Sequence, residues 1–416
     1  MEKLLQFLET SYTAYQATEQ AKALLAEHGF QSLSEQEQWN LKEGGKYYVS
    51  RGGSAIIAFT VGKGNCYKII ASHTDSPCLK LKENPITSTE KFKKLNVETY
   101  GGGIWYSFFD RPLKLAGRLV REKDGALVSE NFVSDFTVMI PSVAVHMQRD
   151  VNEKFAPNPQ VDLLPLLGMS ETDFSALLDH PISFDLYAVC AEKPFVSGTN
   201  GEFITAPRID NLSSVYSSLT ALMTSDTKDG ICLAACLDSE EIGSQTRQGA
   251  GGDFLNATLR RIAQARGLSE ADFYRAASTS FLISLDNAHS VHPNHPEKCD
   301  PTNRAILGGG VVIKGHAGGA YTTDALSSAV VKTIFKRADV KHQCFFNRSD
   351  MRSGGTLGAI SLGQISIPSA DLGLAQLAMH SAMESFAAAD YAELLKGLKA
   401  FYESKIEIDA NNIKIK

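Results

Sequence analysis

The chain Asp238-Ser239-Glu240-Glu241-Ile242-Gly243 follows an unbroken apolar run, Ile231-Cys232-Leu233-Ala234-Ala235-Cys236-Leu237. A run of this kind, ending in acid and then glycine, reads as a buried strand that delivers carboxylates to a loop. Adjacent glutamates there are costly unless a cation compensates them, and a metal ion does so while leaving one of the two free as a general base. The competing reading is a solvated acidic turn. Three other places repeat the pattern of an apolar run followed by histidine or carboxylate: His73 with Asp75, Asp210, and Asp286, with His380 on a late connection. In open α/β sheets ligands gather beyond the carboxyl ends of strands, where these side chains would meet. His-x-Asp puts both side chains on one side of an extended segment, so the aspartate can accept the proton of the far imidazole nitrogen. Two imidazoles, three carboxylates with one bridging, and one free glutamate suit two Zn2+ ions, with Mn2+ or Co2+ as substitutes. The chemistry expected is metal-assisted hydrolysis of an amide.

Strands alternating with helices must position such a set. Apolar residues from Leu4 to Leu25 recur at helical spacing across residues 2 to 28, and Gly29 stops that helix. Runs on either side of Gly52-Gly53 read as a hairpin, and Cys66 to Ala71 as a strand leading into His73. Helical periodicity then fades after about residue 84. Short β-type stretches, including 115–120, 132–140 and 182–189, continue to about Ala206. Strand and helix patterns return from Pro207, with helices to Leu222, over 254–267, after Asp324 and over 391–402, and strands at 281–285 and 343–346. The fold class expected is α/β: a mixed β-sheet sandwiched by helices, formed by 1–84 and 207–416, with a β-rich domain inserted at 85–206.

A chain of 416 residues has ample core for two or three domains. A formal charge of −6, with Lys91, Lys93 and Lys94 as the main basic cluster, argues against nucleic-acid and membrane-surface partners. Seven widely spaced cysteines fit reduced thiols and a cytoplasmic setting rather than a disulfide framework. The start lacks the apolar core of a signal peptide, and no run of about 18 apolar residues occurs. The glycine runs at 101–103 and 308–310 lack the lysine and hydroxyl residue of a phosphate loop.

The motifs Ser72-His73-Thr74-Asp75-Ser76-Pro77, Tyr100-Gly101-Gly102-Gly103-Ile104-Trp105, Phe109-Asp110-Arg111-Pro112-Leu113, Arg208-Ile209-Asp210-Asn211, Asp238 to Ser244, Asp286 to Asn294 and Gln376-Leu377-Ala378-Met379-His380-Ser381 closely resemble those of the aspartyl-aminopeptidase family of dinuclear zinc aminopeptidases. Order and spacing agree along nearly the whole chain. The resemblance implies that Asp210 bridges two zinc ions, His73 and Asp286 complete one site, and Glu241 and His380 complete the other. Glu240 would then take the proton of the bridging water and pass it to the leaving amine. Asp75 would orient His73, and the Asp210-Asn211 peptide would be cis. The insert would mediate dimerisation within a tetrahedral dodecamer, with His146 reaching a neighbouring subunit's active site, and His289 and Met351 would also face substrate.

One departure bears on specificity. Family members that favour acidic N-terminal residues carry basic side chains before the Tyr-x-Thr/Ser segment, where this chain reads Lys314-Gly315-His316-Ala317-Gly318-Gly319-Ala320-Tyr321-Thr322. With Lys314 and His316 as the cationic candidates there, and Arg352 as a more distant one, a broad or neutral-hydrophobic preference is expected. Two other readings compete: a related carboxypeptidase or N-acyl deacylase, and a catalytically silent assembly scaffold.

Overall fold

The computed structural model describes residues 1–169, 171–351, 354–409 and 412–416. Its centre is a nine-stranded mixed sheet whose middle strands are Ala55–Val61, Asp229–Leu237, Lys63–His73, Phe281–Leu285 and Ser369–Gly373. Asp229–Leu237, Lys63–His73, Phe281–Leu285 and Ser369–Gly373 run parallel to one another, so their carboxyl ends share one edge of the sheet. Alternation along the strand explains why its sequence is apolar throughout. Cys232, Ala234 and Cys236 enter the core on one face, while Ile231, Leu233, Ala235 and Leu237 enter the core on the other.

Helices cover both faces. Glu2–Thr10, Ala14–Glu27, Ile209–Thr224, Ala325–Arg337 and Ala388–Glu403 build one layer, and Phe254–Ala265, Glu270–Ser278 and Leu357–Gln364 build the other. The chain is therefore α/β, with a mixed sheet between helical layers. The helix Ile209–Thr224 is buried along most of its length, and Ser213, Ser214, Ser217 and Ser218 let its neighbours approach closely. Ser213 and Ser217 return their hydroxyls to carbonyls one turn back, at 2.8 and 2.6 Å.

The single helix expected over residues 2 to 28 is two helices, broken at residues 11–13. Thr13 caps the second by accepting from the Tyr15 amide, and Gly29, at φ 79°, follows its end. Ser11 leaves the helix because its carbonyl is taken by the Arg208 guanidinium, Nε to O 3.0 Å. The strand expected over 132–140 also divides. Ala126–Val133 is a strand, and beyond it Val138 and Ile140 form isolated bridges.

A six-stranded antiparallel sheet of Ala126–Val133, Leu113–Lys123, Ser183–Cys190, Cys78–Thr89, Phe92–Tyr100 and Leu166–Met169 stands apart with its own apolar core. Its first strand begins at Cys78, upstream of residue 85 and a few residues past His73, so this sheet starts at the carboxyl edge of the central one. Phe195–Ser197 and Phe203–Ala206 belong elsewhere. They join Glu384–Ala387, Ala375–Leu377 and Ala288–His289 in a five-stranded sheet that frames the same edge.

Candidate metal centre

Three of the four parallel strands end at side chains that turn toward one point. His73 is the last residue of its strand, Asp286 follows the end of Phe281–Leu285, and Glu240 and Glu241 occupy a single 3₁₀ turn after Asp229–Leu237. That turn is tight because Ser239 and Gly243 both take left-handed backbone conformations, φ 64° and 94°. Asp210 sits at the kinked start of a buried helix, in non-helical conformation, and the cis Asp210-Asn211 peptide follows it. His380 lies between Ala375–Leu377 and Glu384–Ala387.

Asp210 faces two ways. Its Oδ1 lies 3.4 Å from His73 Nε2, which is itself 3.6 Å from Asp286 Oδ1. Its Oδ2 lies 3.7 Å from His380 Nε2, which is 3.3 Å from Glu241 Oε1. A tetrahedral ion with bonds of about 2.0–2.1 Å holds its ligand atoms roughly 3.3–3.4 Å apart. The spacings found match that figure better than the ~2.9 Å of a direct N–H···O hydrogen bond. Asp210 Oδ1 and Glu241 Oε1 are buried and have no hydrogen-bond partner among the described residues. Nitrogen and oxygen donors without thiolate, orphaned acceptors and ligand-like spacings together fit two zinc-sized divalent ions. His73 can also group with Glu240 and Glu241, which places Glu240 beside the same centre.

Charge gives the same answer. Burial pushes the Glu241 carboxyl well above the usual range, helped by the Asp210 charge. Burial likewise raises Glu240 to about 8, against the pull of His73 and with the push of Asp286 and Asp75. Burial works to lower the His73 imidazole, yet the neighbouring carboxylates of Asp210, Asp286 and Asp75 carry it well above its ordinary value. Asp286 goes down instead; burial opposes this, and the Lys314 ammonium and His73 outweigh it. Protons are thus drawn to a site that lacks positive charge, which a divalent pair would supply.

Asp75 organises one side of the centre. Its Oδ1 sits 3.3 Å from His73 Nδ1 and accepts from the Glu240 amide at 3.1 Å, while its Oδ2 accepts from the Glu241 amide at 3.2 Å and from Tyr100 Oη at 2.9 Å. One carboxylate therefore sets the imidazole and the turn that bears both glutamates. Tyr100 ends a strand of the six-stranded sheet, and the loop after it continues along the centre. Gly101, at φ 73°, leaves little space for a side chain, since a Cβ would lie 3.0 Å from that of Glu241. Gly102 accepts from His380 Nδ1 at 2.9 Å, which turns Nε2 toward Asp210 and Glu241.

The remaining expected positions fall differently. His289 sits on the short strand Ala288–His289, with its ring 6.3 Å from that of Phe345. Burial lowers its imidazole, Asp210 raises it and Lys314 lowers it, so it feels the centre's charge. His146 is exposed in a turn of the 141–161 segment and Met351 is exposed in a turn, and neither joins the ligand cluster within this chain. Arg352 lies outside the described residues. Lys314 is not offered to a substrate carboxylate, because it is buried with Nζ 4.0 Å from Asp286 Oδ2 and donates to the Asn287 carbonyl at 3.2 Å. Sequence reading gave no task to Tyr100, Gly101, Gly102 or Glu384. The glycine run beside a tyrosine signalled the first three, and nothing local distinguished Glu384.

The chain is similar to known proteins along nearly its whole length. The family described as Aminopeptidase I zinc metalloprotease (M18) matches residues 7–179 and 174–402. A probable M18 family aminopeptidase 2 of Clostridium novyi is 40% identical over 96% of this chain and 98% of its own length, and one from Clostridium acetobutylicum is also 40% identical with the same coverage. Among solved structures, a chain of the Ape4 and Nbr1 complex superposes with a TM-score of 0.93 at 33% identity, covering 97% of this chain and 85% of that one. A chain of the S. cerevisiae mApe1 dodecamer gives 0.82 at 26%, covering 97% and 96%. By sequence and by fold, the chain belongs to the M18 family of zinc metalloprotease aminopeptidases.

Proposed function

We propose that the protein removes N-terminal residues from peptides at a dinuclear zinc centre with Glu240 as general base. The observation that carries this reading is Asp210, whose two oxygens face two separate histidine–carboxylate pairs, His73 with Asp286 and His380 with Glu241. When bound, two zinc ions would polarise the peptide carbonyl and acidify the attacking water. Glu240, beside His73 and Glu241, takes the proton of that water and returns it to the departing amine. Asp75 and Tyr100 keep the Glu240–Glu241 turn in place during this transfer. The acid-rich wall receives the free ammonium of the substrate, which favours an aminopeptidase over a carboxypeptidase, where an arginine would be needed.

In this reading 1–84 and 207–416 supply the catalytic part and 85–206 mediate dimerisation toward a tetrahedral dodecamer, except that 78–84 go with the second and 195–206 with the first by sheet membership. The relative whose structure is a dodecamer supports such an assembly, in which exposed His146 would reach a neighbour's site. Mn2+ or Co2+ would substitute for zinc, and the setting is cytoplasmic. Because Lys314 is buried against Asp286 and Asn287, the preferred N-terminal residue is neutral or hydrophobic, with exposed Met351 and His289 bordering the substrate. Glu240→Gln tests the mechanism. It should retain zinc and assembly size while losing nearly all turnover, and normal turnover would remove Glu240 as base. Single-residue chromogenic substrates (Asp, Glu, Leu, Met, Ala), assayed with Zn, Mn and Co separately, test the preference, which a strong Asp or Glu bias would overturn. Turnover of amino-blocked peptides with none of free ones would point instead to the deacylase or carboxypeptidase reading.

A further inference from the structure

Glu384 opens the strand Glu384–Ala387 and is 1% exposed. Its Oε2 accepts from the Asp210 amide at 2.9 Å, and its Oε1 accepts from the His380 amide at 2.6 Å and from Gln376 Nε2 at 3.4 Å. Three donors converging on two oxygens call for an acceptor-only group, which an ionised carboxylate is and an amide is not. The two amides belong to residues far apart in the chain, yet both face one candidate zinc site, that of Asp210, Glu241 and His380. His380 moreover has φ 66°, and Ala378 has φ 56°, a region that non-glycine residues seldom occupy without outside support. Gln376 extends the connection. Its Oε1 accepts from Asn287 Nδ2 at 2.8 Å, and that amide also donates to the Ile209 carbonyl at 3.2 Å.

We infer that Glu384 is a positioning residue that sets the backbones of Asp210 and His380 so that both face one metal ion. It touches neither substrate nor metal and acts through those two ligands, as carboxylates behind metal ligands do. Asp75 has a comparable place behind His73, and it also holds the turn that bears Glu241. This inference rests on the dinuclear reading above.

Glu384→Gln puts an NH2 where an N–H now points and should lower zinc affinity at one of two sites by about 10–100-fold. The measurement is zinc binding to the chelator-stripped full-length protein, by competition with a chromogenic chelator, beside wild type. The d–d absorption of the Co2+-loaded forms reports the coordination that remains. A tenfold or greater loss at one site in a folded variant, with an altered cobalt spectrum, is the expected result. Glu384→Asp, which keeps an acceptor-only group, should recover part of the affinity, and it is judged by the same limits if the Gln variant does not fold. Zinc constants within threefold of wild type would overturn the inference, even if the metal-free melting temperature falls, because the residue would then be merely structural. If wild type itself binds no zinc, it is the dinuclear reading that fails.

Discussion

Stripping the metal should make the protein less stable as pH rises from about 5 to 8, the reverse of ordinary acid denaturation. Glu240 shows why. Its carboxyl is raised from 4.5 to about 8, chiefly by burial, so in that window the folded chain binds a proton that the unfolded chain has released. Stability from this group is fully present below about 4.5 and is lost as pH approaches 8. At pH 7 the loss is about 3 kcal/mol from Glu240 alone. Glu241 shifts in the same direction, and so does Asp238, to about 7. Asp286 goes the other way, but its lowered transition falls below the window. With roughly 2.1 cal/mol/K of unfolding entropy per residue, a 416-residue chain converts that loss into a Tm drop of ~3–4 °C. Calorimetry of the chelator-treated protein across this range measures it, and added zinc should raise Tm more at pH 8 than at pH 5, since it replaces the bound protons. Glu240→Gln, which cannot titrate, should remove its share of the slope. A metal-free Tm that stays level or rises with pH, or a variant as steep as wild type, would refute the electrostatic argument.

Three substitutions probe the surroundings of the centre. Tyr100→Phe deletes the 2.9 Å hydrogen bond to Asp75 and, at ~1.5 kcal/mol for a bond to a charged group, should lower kcat about tenfold while KM and circular dichroism stay near wild type. Gly101→Ala would place its Cβ 3.0 Å from that of Glu241 at φ 73° and should cost about 1–2 kcal/mol, read as a fall in both melting temperature and zinc content. Lys314→Met leaves Asp286 without the ammonium 4.0 Å away. It should weaken metal retention in dialysis while the ratio of rates on acidic and neutral substrates stays constant; a tenfold fall in that ratio would show that Lys314 had been holding the substrate's carboxylate.

Metal chemistry admits few residue types, and a parallel sheet gathers its strand ends, so the meeting of His73, Asp210, Glu241, Asp286 and His380 is legible in the sequence. The α/β class is legible for the same reason, because 231–237 and 281–285 are apolar on both faces. What supports the centre is less visible. Glu384 and the Gly102 carbonyl act through hydrogen bonds across the fold, and no local pattern encodes a partner hundreds of residues away. The break at residues 11–13 has the same origin, since Arg208 takes the Ser11 and Leu8 carbonyls from a distant part of the chain. Lys314 looks like a loop cation in sequence and is instead a buried counter-charge, because Val311–Lys314 is a strand inside the main sheet. His146 and Met351 are exposed and stand outside the ligand cluster of this chain, so nothing in its fold gives them a task there.

The loop from Tyr100 to Ile104 makes the insert inseparable from the chemistry. Asp75 is held by Tyr100, His380 by the Gly102 carbonyl, and the Ile104 amide donates to the His380 carbonyl at 2.9 Å. Splicing Pro77 directly to Ala191 would leave the nine-stranded sheet whole and its helices in place. Such a miniature would keep every candidate ligand in its sequence and lose one wall of the chamber that aims them. The six-stranded sheet is thus tied to the candidate site through this loop, and a minimal module cut from this chain must retain it.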